Sequence, residues 1–194
     1  HALASGRECV VVASARSLVR MLPPADAKAY LPLDFAAGRE VGDSARADLT
    51  DFDSIARALQ NAGYENTGEL EGPGTFCVRG GAVDVYPGNL SYPVRIDCFG
   101  DEVDEIRRIV PSTGQTIANL DAVTIYPVRE FASSAKGLAR AKKALYKPAQ
   151  SNAVMREILD KLEGGVFDTQ TDAVLPLLFD RTVTLGAYLG PECL

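Results

Sequence analysis

Between residues 73 and 110 apolar and polar residues alternate at the period of a β-strand, and turn residues interrupt the pattern at short intervals. Successive side chains of a strand point to opposite faces. Tyr92, Val94, Ile96 and Cys98 therefore share one face, and Arg95, Asp97 and Phe99 share the other. Gly72-Pro73-Gly74, Gly80-Gly81, Pro87-Gly88-Asn89 and Gly100-Asp101 mark the turns, which predicts an antiparallel meander whose last strand runs from Glu102 to Val110. Gly80-Gly81 and Gly100-Asp101 suit two-residue hairpin loops, where positive φ is needed and a missing Cβ removes its cost. One face of such a sheet packs and the other is displayed.

Helical periodicity appears on either side. Thr50 or Asp51 is placed to cap a helix whose Phe52, Ile55, Ala56 and Leu59 fall at i, i+3, i+4 and i+7, with Gly63 ending it. Near the start, Glu8–Ala13 reads as a short buried strand and Ser14–Leu22 as a brief helix stopped by Pro23-Pro24. Leu31–Ala36 and Val123–Tyr126 read as further strands. A helix capped by Ser133 or Ser134 is expected to reach Tyr146 before Pro148, and a second is expected from Asn152 to Leu162, with Met155, Ile158, Leu159 and Leu162 at core spacing. The expected fold class is α+β: a meander with one helix, inserted between the opening strand and helix and the closing strand and helices, which read as parts of an α/β domain.

Composition narrows the function. The 194 residues are 46% hydrophobic and 24% charged, enough for one large domain or two small ones with real cores. A net charge of −6 argues against broad binding to a phosphate backbone, which requires a positive field over the contact surface. Cys9, Cys77, Cys98 and Cys193 show no C-x-x-C spacing, so they suggest free thiols in a reducing cytoplasm rather than a zinc site or redox pair. No apolar run is long enough to span a membrane, and His1–Gly6 does not resemble a signal peptide; the chain reads as a fragment.

Three patterns resemble chemistry. Asp101-Glu102-Val103-Asp104 is like the acidic box of a helicase motor, yet no G-x-x-x-x-G-K-[ST] accompanies it, and Gly100-Asp101 suits a turn better. Lys136, Arg140, Lys143 and Lys147 share one helix face and offer contact with a nucleic-acid backbone, but no aromatics are interleaved, and Leu138, Ala141 and Leu145 form an opposite packed stripe. The only histidine is His1, so a serine or cysteine nucleophile lacks its usual base. No cofactor, metal or catalytic residue is assigned. Arg79, Arg95 and Phe99 combine the rigid guanidinium fork and apolar ring that anchor protein interfaces. The bland alternative is a cross-strand ion pair, for instance Arg95 with Asp84.

The blocks Pro73–Pro87, Tyr92–Glu102 and Val123–Phe131, in that order, resemble signature segments of the bacterial transcription-repair coupling factor family and, more weakly, of the excinuclease protein UvrB. The resemblance runs from about Val10 to Phe131; Arg79-Gly80-Gly81 and Pro127–Phe131 look closer to the coupling factor. It implies a non-catalytic α+β domain over residues 33–120 that docks onto the excinuclease protein UvrA, flanked by residues 1–32 and 121–194 as parts of a motor-like α/β domain without nucleotide chemistry, with Arg79, Arg95 and Phe99 matching the family's docking positions. It also implies that contacts with RNA polymerase and DNA belong to regions of the whole protein absent here. Cys98 stands where many relatives carry an aromatic, and Thr75 where an acidic residue is frequent, so local packing is expected to differ.

Overall fold

The computed structural model describes residues 10–24, 31–128, 135–164, 166 and 170–189. Its α-carbon contacts divide the chain into two units, Lys28–Ala132 and His1–Ala27 with Ser133–Leu194. Both helices and a mainly antiparallel sheet are present, so the fold is α+β.

The first unit is built on the meander. Strands β1 (Leu33–Ala36), β2 (Arg39–Glu40), β3 (Glu65–Asn66), β4 (Thr75–Arg79), β5 (Ala82–Val85), β6 (Val94–Phe99), β7 (Glu102–Ile109), β8 (Thr116–Leu120) and β9 (Ala122–Ile125) follow in chain order. The large sheet has the order β2-β7-β6-β5-β4-β3, with β8 also pairing β7 and only β3–β4 parallel. Arg79 opposes Ala82 and Phe99 opposes Glu102, so both expected two-residue loops form, and Gly80 and Gly100 supply φ of +61° and +63°.

The helix α2 (Phe52–Asn61) starts at Asp51, whose carboxylate accepts from the Ser54 N–H while the Ser54 hydroxyl accepts from the Asp51 N–H. This reciprocal box satisfies amides that a helix start otherwise leaves unpaired. Gly63, at φ +90°, follows its end. Ile55, Ala58 and Leu59 then join Phe76, Val83, Val85, Val94, Ile96, Val103 and Ile106 in one buried cluster. Apolar burial of this kind, about 25 cal/mol per Å² of area removed from water, is what holds the sheet's packed face to the helix.

Val123–Tyr126, grouped by its position with the flanking segments, instead contributes to β9, which pairs antiparallel with β1 in a two-stranded sheet; Leu33, Phe35, Val123 and Ile125 enter the meander's own core. Asp101 serves as a turn residue, its carboxylate accepting from the Phe52 N–H at the start of α2.

In the second unit the expected strand is not formed over its described residues 10–13. Val10 and Val12 are each 92% exposed, and among the described residues no neighbouring strand supplies hydrogen bonds or a covering face; Glu8 and Cys9 lie outside the described residues. The helix α1 is confined to Ala15–Val19, capped by Ser14. Helices α3 (Ala135–Ala149) and α4 (Ala153–Glu163) pack with the 3-10 helix Thr171–Leu178, burying Ala141, Leu145, Ile158, Leu162, Val174 and Leu175. The helix α3 runs through Pro148 rather than stopping before it. A proline in the last turn forfeits only its own N–H bond, and its carbonyl still accepts from the Ser151 and Asn152 amides. The expected caps Ser133 and Ser134 lie outside the described residues. Asn152 caps α4 by accepting from the Val154 and Met155 amides. Among the described residues no helix is long and apolar enough to cross a membrane.

Candidate functional site

The strand registers sort the large sheet into rows. Val78, Val83, Ile96, Ile106 and Leu120 oppose one another in sequence across β4 to β8 and lie on the core side. The neighbouring rows, on the other face, are Cys77, Asp84, Arg95, Arg107 and Asn119, then Arg79, Ala82, Asp97 and Glu105, then Phe99 with Glu102. A register shift between Asp97 and Cys98 leaves Asp104 of β7 as the extra residue, so alternation along β6 is preserved and Phe99 remains on the Arg95 side. Arg79, Arg95 and Phe99 thus share the displayed face of the sheet.

Their environments differ. Phe99 is 86% exposed beside the Gly100-Asp101 turn, an unusual position for a phenyl ring. The Arg79 side chain is half-exposed, whereas that of Arg95 is 22% exposed. Arg95 donates from Nε to Oδ1 of Asp84 at 2.5 Å and from Nη2 to Oδ2 at 2.7 Å, a bidentate fork. The same Oδ2 lies 3.2 Å from Nε of Arg79, whose Nη2 donates to the Gly68 carbonyl at 3.2 Å. The ion pair set against docking in the sequence is therefore present, but Asp84 is only 3% exposed and serves two arginines. The hydrogen bond to Asp84 raises the Arg95 pKa above its ordinary value, against the opposing effect of burial.

Next to this triad, Arg107 donates to Oδ2 of Asp97 from Nε at 3.1 Å and Nη2 at 2.7 Å, with Glu105 3.6 Å from its Nε. Asp84 with its two arginines carries a net charge of +1 and Arg107 with its two carboxylates −1, so the face presents both signs within three rows. Sequence reasoning missed Arg107 and the double duty of Asp84. The hairpin loops were the available signal, since a two-residue turn at Gly80-Gly81 places Cys77 across from Asp84.

On the packed side Arg108 lies over the Tyr92 ring, 4.4 Å from its centre. On α3, Lys136, Lys143 and Lys147 are exposed, but Arg140 turns onto the Leu177 and Leu178 carbonyls and pairs with Asp180. The expected basic face is thereby interrupted at its centre. Among the described residues no group of His, Cys, Asp and Glu is arranged to hold a metal ion.

Residues 45–131 match the family described as the UvrB interaction domain. The chain is 32% identical over 174 residues to the transcription-repair-coupling factor of Myxococcus xanthus, covering 88% of this chain and 14% of that protein. It is 32% identical over 139 residues to the transcription-repair-coupling factor of Bacillus subtilis, covering 72% of this chain and 11% of that protein. With the UvrABC system protein B of a Nostoc species it shares 33% identity over 174 residues, 89% of this chain and 24% of the relative. The chain thus spans less than a quarter of the length of these curated relatives.

Proposed function

We propose that this chain, whose residues 45–131 match the UvrB interaction domain, is a non-catalytic docking module that binds the excinuclease protein UvrA and, in a transcription-repair coupling factor, brings nucleotide excision repair to a stalled RNA polymerase. Phe99 carries the reading: a phenyl ring left 86% exposed, on the same face as a half-exposed arginine, is a ready apolar anchor with charge beside it. Arg79 offers its guanidinium to a partner carboxylate, and Phe99 fills an apolar pocket. Arg95, largely engaged by Asp84, contributes as the support of that pair.

Titration calorimetry with purified UvrA tests the proposal. Arg79→Glu and Phe99→Ala are each expected to weaken binding by about 2 kcal/mol or more, the scale of interface anchors. Unchanged affinity for both, with the fold intact, would overturn it. Arg95→Glu is a poorer probe, since the new carboxylate would stand against buried Asp84 and disturb the fold itself.

The matches to UvrABC system protein B favour a second reading, in which the chain is the corresponding region of that protein. The docking surface is then the same and the RNA polymerase is no longer part of the assembly. Co-purification of the full-length protein with RNA polymerase separates the two.

A further inference from the structure

The central strand of the displayed face holds a residue that has no direct access to a partner yet touches both arginines. Asp84 lies on β5, hydrogen-bonded on one side to β4 and on the other to β6, and its side chain is 4% exposed. Its Oδ1 accepts from Arg95 Nε and its Oδ2 from Arg95 Nη2, and the same Oδ2 forms an ion pair with Arg79 Nε at 3.2 Å. The Gly68 carbonyl holds the far end of Arg79, and the turn at Gly114 stands against Arg95, with space for a Cβ ending 3.2 Å from Nη2.

We propose that Asp84 is the positioning residue of the docking face: it holds the Arg79 and Arg95 guanidinium groups in place before the partner arrives and cancels one of their two charges. The inference rests on the docking role proposed above. A long side chain that is already ordered loses little rotamer freedom on association, so pre-ordering raises affinity without adding a contact. The carboxylate also separates two like charges that would otherwise splay the arginines apart. Around Asp84 there remains a single net positive charge of fixed direction, beside the net negative Arg107 cluster, and it suits one carboxylate rather than a broad acidic surface.

A double-mutant cycle on the whole chain, read by calorimetry with purified UvrA, tests this. Asp84→Asn, nearly isosteric but uncharged, is expected to weaken binding about tenfold, within the coupling found for residues of one salt-bridge network. In a background carrying Arg79→Ala and Arg95→Ala, the same change is expected to have less than a twofold effect, which a merely structural role would not predict. Asp84→Glu, which keeps the charge and moves the oxygens by one methylene, is expected to fall between wild type and Asp84→Asn. Should Asp84→Asn fail to fold, the coupling of the Glu variant to the two arginines decides instead. Independently of any partner, the Nε–H proton of Arg95, bonded to Asp84, is expected to exchange slowly in wild type and rapidly in Asp84→Asn, with the Val85 and Ile96 amides unchanged. Wild-type affinity in Asp84→Asn, or an equal loss in the arginine-free background, would overturn the inference. Failure of the docking role has a different signature: binding to UvrA insensitive to Phe99→Ala and Arg79→Ala.

Discussion

Asp84 and Arg95 stand directly opposite each other on adjacent central strands, joined by two hydrogen bonds of 2.5 and 2.7 Å. Because the carboxylate is buried and the guanidinium is not wholly so, the pair is asymmetric. Removing the arginine strands a charge, whereas removing the acid releases an arginine that can reach water. Arg95→Ala is expected to destabilise the chain by about 1–3 kcal/mol, the scale for leaving a buried polar group short of a partner, with Arg79 limiting the loss. Urea denaturation measures it, and a change under about 0.5 kcal/mol would show the pair to be as weak as an ordinary surface bridge.

Exposure changes sharply along one strand. Phe99→Ala is expected to leave stability within about 0.5 kcal/mol of wild type, since the ring buries little on folding. Ile96→Ala, three residues away and fully buried, is expected to cost about 2–5 kcal/mol. Thermal melts of the two variants supply the contrast, and equal losses would mean that Phe99 is packed.

The start of α2 gives a third expectation. Asp51→Ala removes the acceptor of the Ser54 amide and is expected to cost about 1 kcal/mol, as for other helix caps. Circular dichroism during urea titration reads the loss; a neutral result would assign the helix start to the Asp101 contact with Phe52 alone.

Acid stability has an identifiable contributor. Burial works against the charge of Asp48, but hydrogen bonds from Arg46 and Asn61 outweigh it and hold the pKa below the ordinary 3.8. A carboxylate with a depressed folded value binds fewer protons in the native state, so its stabilisation is complete above the unfolded value and is lost as pH falls through the folded one. Asp48→Asn is therefore expected to flatten the stability profile below about pH 4 while lowering stability at neutral pH. Denaturant midpoints from pH 2 to 7 provide the check; an unchanged slope in the variant would remove Asp48 from the account.

Thiol chemistry offers the fifth. Burial, reinforced by the Asp97 and Asp101 charges, pushes the Cys98 thiol up to about 11 from its ordinary 9.0. At pH 8 the thiolate fraction falls on the order of 100-fold, and alkylation by iodoacetamide, followed by peptide mass spectrometry, is expected to slow accordingly relative to the urea-unfolded chain. A rate near that of the unfolded thiol would contradict the burial.

The parts of the fold legible in the sequence are those with a strong local period. Alternation along Val94–Phe99, the turns at Gly80 and Gly100, and the apolar stripe of α2 each appear where expected, because hydrophobic spacing and φ requirements act over a few residues. Pairings between distant segments were not legible. Leu33–Ala36 finds its partner in Ala122–Ile125, and Thr116–Leu120, with hardly any buried side chain, exists as a strand because β7 offers it an edge. The Val10–Ala13 run shows the converse, for its composition suits a strand but nothing among the described residues pairs with it. At the site, the common face of Arg79, Arg95 and Phe99 followed from alternation alone. The division of labour between a bonded Arg95 and a freer Arg79 depends on three-dimensional burial of Asp84, which spacing does not encode.

The turn at Gly114 extends the reach of this face beyond its own strands. It sits at φ +67° with its backbone close against Arg95, so any side chain introduced there would meet both an unfavourable backbone angle and the guanidinium group. A loop nineteen positions downstream of the arginine thereby acts as its backstop, and a side chain introduced there would press on Arg95 and, through the Asp84 carboxylate that both arginines share, on Arg79.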